Sequence, residues 1–197
     1  LPLCTRGAYS RPIASYEGEI EMRNFAGAAI LLVSGLAVMA SPAWALQVSV
    51  TSIDKNADGT MTYHFAVQTD QGETLTPDSD FVTVYNFDGL VNGSIKAPAG
   101  WSASSPEFGK TPSKDGYPLV LPVDIPALSN ITWTAKKAVP GGSRVEGFSA
   151  TTSMAGTIEG QYTAQVTRPE SEGRGTPDKS SKQALIGAVP TPAIAVH

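Results

Sequence analysis

"TMTYHFAVQ", residues 60–68, decides the fold. Met61, Tyr63, Phe65 and Val67 recur at every second position, with Thr60, Thr62, His64 and Gln68 between them and only Ala66 breaking the alternation. Successive side chains of a strand point to opposite faces, so this is the pattern of a half-buried β-strand. Upstream, "LQVSVTSI" (46–53) places Leu46, Val48 and Val50 on one side. Downstream, "DFVTVYNF" (80–87) is rich in the β-branched and aromatic residues that suit a pleated surface. "ITWTAKKA" (131–138) alternates Ile131, Trp133 and Ala135 with Thr132, Thr134 and Lys136. Segments around Arg144–Thr152 and Thr157–Arg168 predict two more strands.

The pieces between are turn chemistry: "TDQGE", "NFDGLVNGS", "KAPAGW", "PSKDGYP" and "AVPGGS". Glycine supplies positive φ there and proline presets the first turn position. No helical period stands out beyond an N-terminal apolar run. Six to eight short strands at this spacing predict an all-β protein, a single antiparallel β-sandwich of immunoglobulin-like type.

The apolar run lies in "MRNFAGAAILLVSGLAVMASPAWA", residues 22–45: a Met, one Arg, a long apolar stretch, then Ala43-Trp44-Ala45 in the A-x-A cleavage pattern. It reads as a helical signal peptide, with the mature chain starting near Leu46. Residues 1–21 carry Glu17, Glu19 and Glu21, the wrong sign for the start of such a signal, and read as an upstream extension. The mature domain is expected over 46–168. In 169–197, "RPESEGRGTPDKSSKQ" lacks aliphatic residues and predicts a disordered, flexible tail. "ALIGAVPTPAIAVH" then turns apolar, but it is short and carries two prolines, so no stable membrane span is expected after signal cleavage.

The formal net charge is −4, and Lys and Arg are scattered singly except for Lys136-Lys137. Nucleic-acid binding needs a clustered basic footprint, so it is excluded. The only cysteine is Cys4, upstream of the signal, so the mature domain has no disulfide framework, cysteine-ligated metal or cysteine nucleophile.

"DKNADG" (54–59) offers Asp54, Asn56 and Asp58 at the alternate spacing of a calcium loop, followed by Gly59. Such a loop needs a bidentate acid at its twelfth position. Here that position is Phe65, on the apolar face of a strand, so a hairpin turn is the favoured reading and a weak calcium site the alternative. Met61 and His64 are ligand types that suit copper, but three residues apart on a strand they point to opposite faces. Asp78 and Asp80, in "TPDSDF", are a carboxylate pair read as a polar turn before a strand. No G-x-S-x-G elbow is present and only two histidines are available as a base, so no catalytic residue is assigned. Trp133 is expected in the core, whereas Trp101, at a loop edge, is the candidate platform for a ligand such as a sugar. Asn92 and Asn130 sit in glycosylation sequons, from which nothing is inferred.

Four segments, "DGTMTYHFAV", "APAGW", "ITWTA" and "GGSRVEGFSATTS", together resemble small secreted bacterial β-sandwich proteins of uncharacterised function, some with C-terminal surface-sorting tails. The resemblance runs from about Ile53 to Ser153 and rests on turns and core aromatics, so it implies a fold and a location. "VPTP" (189–192) is similar to the "VPEP" of a sorting tail, with Thr191 in place of Glu. A fainter similarity is to periplasmic copper-handling domains, whose mature chains begin with a His where this one has Leu46-Gln47. The expectation is a secreted, periplasmic or surface-exposed non-enzymatic binding or structural module without a cofactor, meeting a glycan or a protein at the cell surface. The alternatives are a periplasmic metal-binding accessory, with calcium at 54–59 or copper, and a carbohydrate-active enzyme.

Overall fold

The computed structural model describes residues 45–114, 117–169 and 180–193. The expected upstream extension and signal helix, residues 1–21 and nearly all of 22–45, lie outside these. The described residues are all-β, with no helix among them and ten strands: β1 (Gln47–Lys55), β2 (Met61–Gln68), β3 (Phe81–Phe87), β4 (Trp101–Ser104), β5 (Ser113–Lys114), β6 (Tyr117–Pro118), β7 (Ser129–Ala135), β8 (Arg144–Thr152), β9 (Gly156–Pro169) and β10 (Ser180–Ala193). They form antiparallel sheets ordered β1-β2-β8 and β10-β9-β3-β7-β4, with β5-β6 a small separate ribbon.

The period of two in 60–68 is realised in β2. Tyr63, Phe65 and Val67 are buried in the core, and Met61 packs against it from the end of the strand. From the other sheet, Val82 and Val84 of β3, Ile131, Trp133 and Ala135 of β7, and Ala164 and Val166 of β9 join the same core. The two sheets meet through aromatic rings. Trp133 lies 5.4 Å from Phe65 and 5.2 Å from Phe148, both centroid to centroid, in tilted geometries that favour ring edges against faces. Each such side chain contributes about 1.5–3 kcal/mol by leaving water. The indole Nε1 of Trp133 donates to the Lys96 carbonyl at 3.0 Å, so its one polar group is not left unpaired.

Three bulges keep apolar faces aligned. Thr51 is the extra residue between Val50 and Ser52 in β1, which sets Ile53 opposite the buried Tyr63. Gly147, at φ +94°, is the extra residue opposite Phe65–Ala66, a conformation that suits glycine. In β3 the pairing with β7 slips between Val84 and Phe87, with Asn86 at φ +56°. That slip returns Phe87 to the core, where strict alternation would have placed Asn86.

β3 is buried on both faces. Phe81, Thr83 and Tyr85 point away from the core, yet residues 109–111 of the connection from β4 to β7 cover them. Thr83 Oγ1 and Tyr85 Oη donate to the Lys110 carbonyl at 2.8 and 3.0 Å, and Gly109 packs directly on the Tyr85 ring.

The expected flexible tail over 169–197 is corrected by β10. Ser180–Ala193 pairs with Pro169–Gly156 along fourteen residues, and Val189 is buried in the core. Leu185 packs against it, so the domain extends beyond Arg168. Residues 170–179 and 194–197 of that expectation lie outside the described residues. The two prolines, Pro190 and Pro192, sit in a strand at the edge of its sheet, where a missing N–H is tolerated.

Candidate functional site: an apolar face and the fate of the expected residues

Asp54 and Lys55 end β1, and residues 56–60 form the turn of the β1–β2 hairpin. Asn56 N donates to the Thr60 carbonyl at 2.8 Å and Gly59 N to the Asn56 carbonyl at 3.0 Å, with Gly59 at φ +87°. Asp58 Oδ1 accepts from the Thr60 hydroxyl (2.7 Å) and amide (3.0 Å), which hold its carboxyl below the ordinary pKa. Asn56 Nδ2 donates to the hydroxyls of Thr60 and Thr62, and Asp54 Oδ2 lies 3.0 Å from His64 Nε2. The three residues expected at a weak calcium site are thus each engaged within the hairpin. Among the described residues no group of three or more His, Cys, Asp or Glu side chains converges as a metal cage.

Trp101 begins β4 and is half-buried. Its ring stands edge-on to Phe148 at 4.9 Å and 89°, closing the side of the core. Asp78 and Asp80 part company. Asp78 is exposed and pairs with Lys136 at 2.6 Å, whereas Asp80 is fully buried. Asp80 Oδ1 accepts from Lys182 Nζ at 2.6 Å, while Oδ2 accepts from the Thr76 amide and the Thr167 hydroxyl at 2.8 and 2.7 Å. A second buried acid, Glu73, is held by Arg168 at 2.7 Å. A buried carboxylate without such partners would be strongly disfavoured, and here each is matched by a cation from β9 or β10. Asn130, in one sequon, is also buried, its amide donating to the Glu107 carbonyl and to Asp124.

The connection 105–128 carries a feature the turn-and-strand reading missed. From Leu119 to Ile125 exposure alternates, with Leu119, Leu121, Val123 and Ile125 outward, continuing Tyr117, and Val120, Pro122 and Asp124 half-buried between them. Leu121 is 81% exposed, Tyr117 76%, and Phe108 and Val123 just over 60%. The signal is legible in "YPLVLPVDI" as a period of two, but a period says only that one face differs from the other, not which face is buried. Asn86 pins the segment by donating to the Val123 carbonyl (2.7 Å) and accepting from Ile125 N (2.8 Å). Asp124 points inward, accepting from Gly109 N and Asn130 Nδ2.

Where this segment meets the β9–β10 hairpin lies a groove of about 520 Å³ lined by Val123, Ile125, Leu128, Ile158, Ile186 and Thr191. Ile158 and Ile186 are largely exposed. The Thr191 hydroxyl is buried without a hydrogen-bond partner among the described residues. Of the ten exposed large hydrophobic residues among those described, five come from 117–125 and a sixth, Phe108, from the same connection. Among the described residues no helix is long and apolar enough to cross a membrane. Compared with known proteins, the chain matches no protein-family model and no curated protein.

Proposed function

We propose that the chain is a secreted or surface-exposed, immunoglobulin-like β-sandwich acting as a non-enzymatic binding module, and that its binding face is the apolar surface of residues 117–125 with the adjoining groove against the β9–β10 hairpin. The observation that carries this reading is the concentration of exposed apolar side chains there, including the row Tyr117–Ile125. Soluble proteins scatter such residues singly, and contiguous patches mark interaction sites. The ring contacts of Trp133 with Phe65 and Phe148 across the sheets support a sandwich scaffold rigid enough to present that face. The pairing of Asp80 with Lys182 and of Glu73 with Arg168 supports a structural role for the buried acids over acid–base chemistry. The leader-like sequence 22–45 supports export.

The test is binding to protein and glycan arrays by the purified chain and by Leu121→Ser/Val123→Ser. Both changed residues are exposed, so the fold is expected to hold while array signals fall at least tenfold. Signals that survive both changes overturn the assignment of the face.

A further inference from the structure

Leu46, the residue at which the sequence places the end of the leader, is also a core residue. Its side chain is fully buried. Its carbonyl accepts from Tyr162 Oη at 2.9 Å, a buried bond spanning 116 positions of sequence. The next residue, Gln47, already pairs with Gln68 at the start of β1. Ala45, one residue earlier, is exposed. The Ala45–Leu46 bond therefore lies where the chain passes from solvent into the core.

A protease takes its substrate as an extended segment, paired along its backbone on both sides of the bond to be cut. Beyond the bond that segment is Leu46, Gln47 and Val48, which the folded domain holds in β1 and the core. The bond is therefore readable only before β1 docks, and folding afterwards closes over the new terminus.

The cut leaves a charge behind. Hydrolysis of the Ala45–Leu46 amide takes up one water and gives a carboxylate on Ala45 and an α-ammonium on Leu46. That nitrogen is one bond from a Cα fixed on one side by the buried side chain and on the other by the carbonyl bonded to Tyr162. It cannot swing away, and a fixed, partly enclosed cation needs a partner.

Beside it lies a pocket of about 360 Å³ that Ala45 lines with Gln47, Gln68, Asp70 and Gln71, and no lysine, arginine or histidine is among its walls. Continuing the β1–β2 register two positions beyond Gln47–Gln68 sets position 45 opposite Asp70. The Asp70 side chain is only 27% exposed. Arg168 stands 3.9 Å from its carboxylate, whereas the same guanidinium meets Glu73 at 2.7 Å. The close contact of Arg168 thus goes to Glu73, and Asp70 has room at short range for another cation. An ammonium brings three N–H donors, which suits a carboxylate in a pocket otherwise lined by glutamines.

We infer that this pocket is the binding site of the chain's own processed terminus: the α-ammonium freed at Leu46 enters the space that Ala45 leaves and pairs with Asp70. The inference rests on the reading of 22–45 as an export leader and is independent of the apolar binding face. Cleavage then does more than release the domain, because it creates the group that fastens the start of β1.

The test has two arms. In the first, the full chain is produced in an exporting host and the first residue of the purified product is sequenced. Leu46 is expected, and any other first residue overturns the processing site and the leader reading with it. In the second, that product and its Asp70→Asn variant are melted with the α-amine free and after acetylation. Acetylation is done in urea near pH 6, where the α-amine reacts while lysine amines, with a pKa of about 10.4, stay protonated, and the chain is then refolded. Acetylation is expected to lower the wild-type melting temperature by about 2–4 °C and that of Asp70→Asn by less than about 1 °C. The variant alters the Arg168 contact in both forms, so only the part of its effect that depends on the terminus reports the proposed pair. Acetylation that shifts both proteins alike, or neither, overturns the pair while leaving the cut in place. Array binding is expected to be unchanged by Asp70→Asn, so failure of this pair and failure of the binding-face reading appear in different measurements.

Discussion

Lys182 Nζ lies 2.6 Å from Asp80 Oδ1, joining a residue of β10 to the fully buried acid immediately before β3, 102 positions away in sequence. Thr167 of β9 stands between them, donating to Asp80 Oδ2 and accepting from the same ammonium. The pair fastens the last strand of the described domain to the strand that begins its second sheet.

Removing either member is therefore expected to be costly. Asp80→Ala leaves Lys182 unpaired and the Thr76 amide and Thr167 hydroxyl without their acceptor. A broken buried pair costs up to about 5 kcal/mol, and the partly solvated lysine lowers the expectation to about 2–4 kcal/mol. Lys182→Met is expected to cost about 2–4 kcal/mol as well, because it leaves the fully buried Asp80 carboxylate with two donors but no counter-cation. Urea unfolding of both single variants and of the double variant checks this. A double-variant loss equal to the sum of the two would show the pair to be uncoupled.

The inter-sheet aromatic contacts predict the largest losses. Phe148→Ala empties the space between Trp101 and Trp133 and is expected to cost about 3–5 kcal/mol. Trp133→Phe removes volume and one of the two donors to the Lys96 carbonyl, the Ser149 amide keeping the other at 3.2 Å, with an expected cost of about 2–4 kcal/mol. Midpoints of chemical denaturation report both.

At the 54–59 turn, the hairpin reading predicts that neither excess calcium nor chelator shifts the melting temperature. Saturating a true site at about 100-fold above its dissociation constant would add about 2.7 kcal/mol. Asp58→Ala is expected to lower stability modestly and equally with and without calcium, because what it removes is the bonding to Thr60. Calorimetry in the two conditions decides the matter, and a calcium-dependent rise abolished by Asp58→Ala would make the turn a metal site.

Tyr85 and Tyr162 predict an alkaline loss of stability. Burial pushes both phenols above their ordinary value of 10.0, partly offset at Tyr85 by hydrogen bonds with Thr111 and Thr163. The folded state thus keeps protons that the unfolded chain releases. Their contribution is complete below about pH 10 and is lost as pH rises through that value towards the raised folded ones. Urea stability measured across this range is expected to fall, and Tyr85→Phe to flatten the fall while costing the bond to Thr111.

Sequence by itself determined the strands and the core faces. Backbone sterics put alternate side chains on opposite sides, so the spacing of Tyr63, Phe65, Val67, Ile131, Trp133 and Ala135 is enough to mark them as core residues, and all six are buried. The Asp-Gly turn is legible for the same local reason, since glycine reaches positive φ without strain. Tertiary structure alone decided three things, all of which rest on contacts between distant residues. Local composition marks 168–183 as polar and charged, but Asp80 and Glu73 supply partners for Lys182 and Arg168, and the core takes in Val189, so residues 180–193 of the expected tail become β10. The sequence puts Trp101 at a loop edge, but only the position of Phe148 shows that its ring faces inward. In "YPLVLPVDI" alternation shows two unlike faces, whereas the side turned to water follows from what already occupies the other side. Asp124 is claimed by Gly109 and Asn130, and the five-stranded sheet is filled by Tyr85, Thr83 and Lys110, which leaves the apolar row outside. Periodicity is a property of the local chain; the choice of face belongs to the packing.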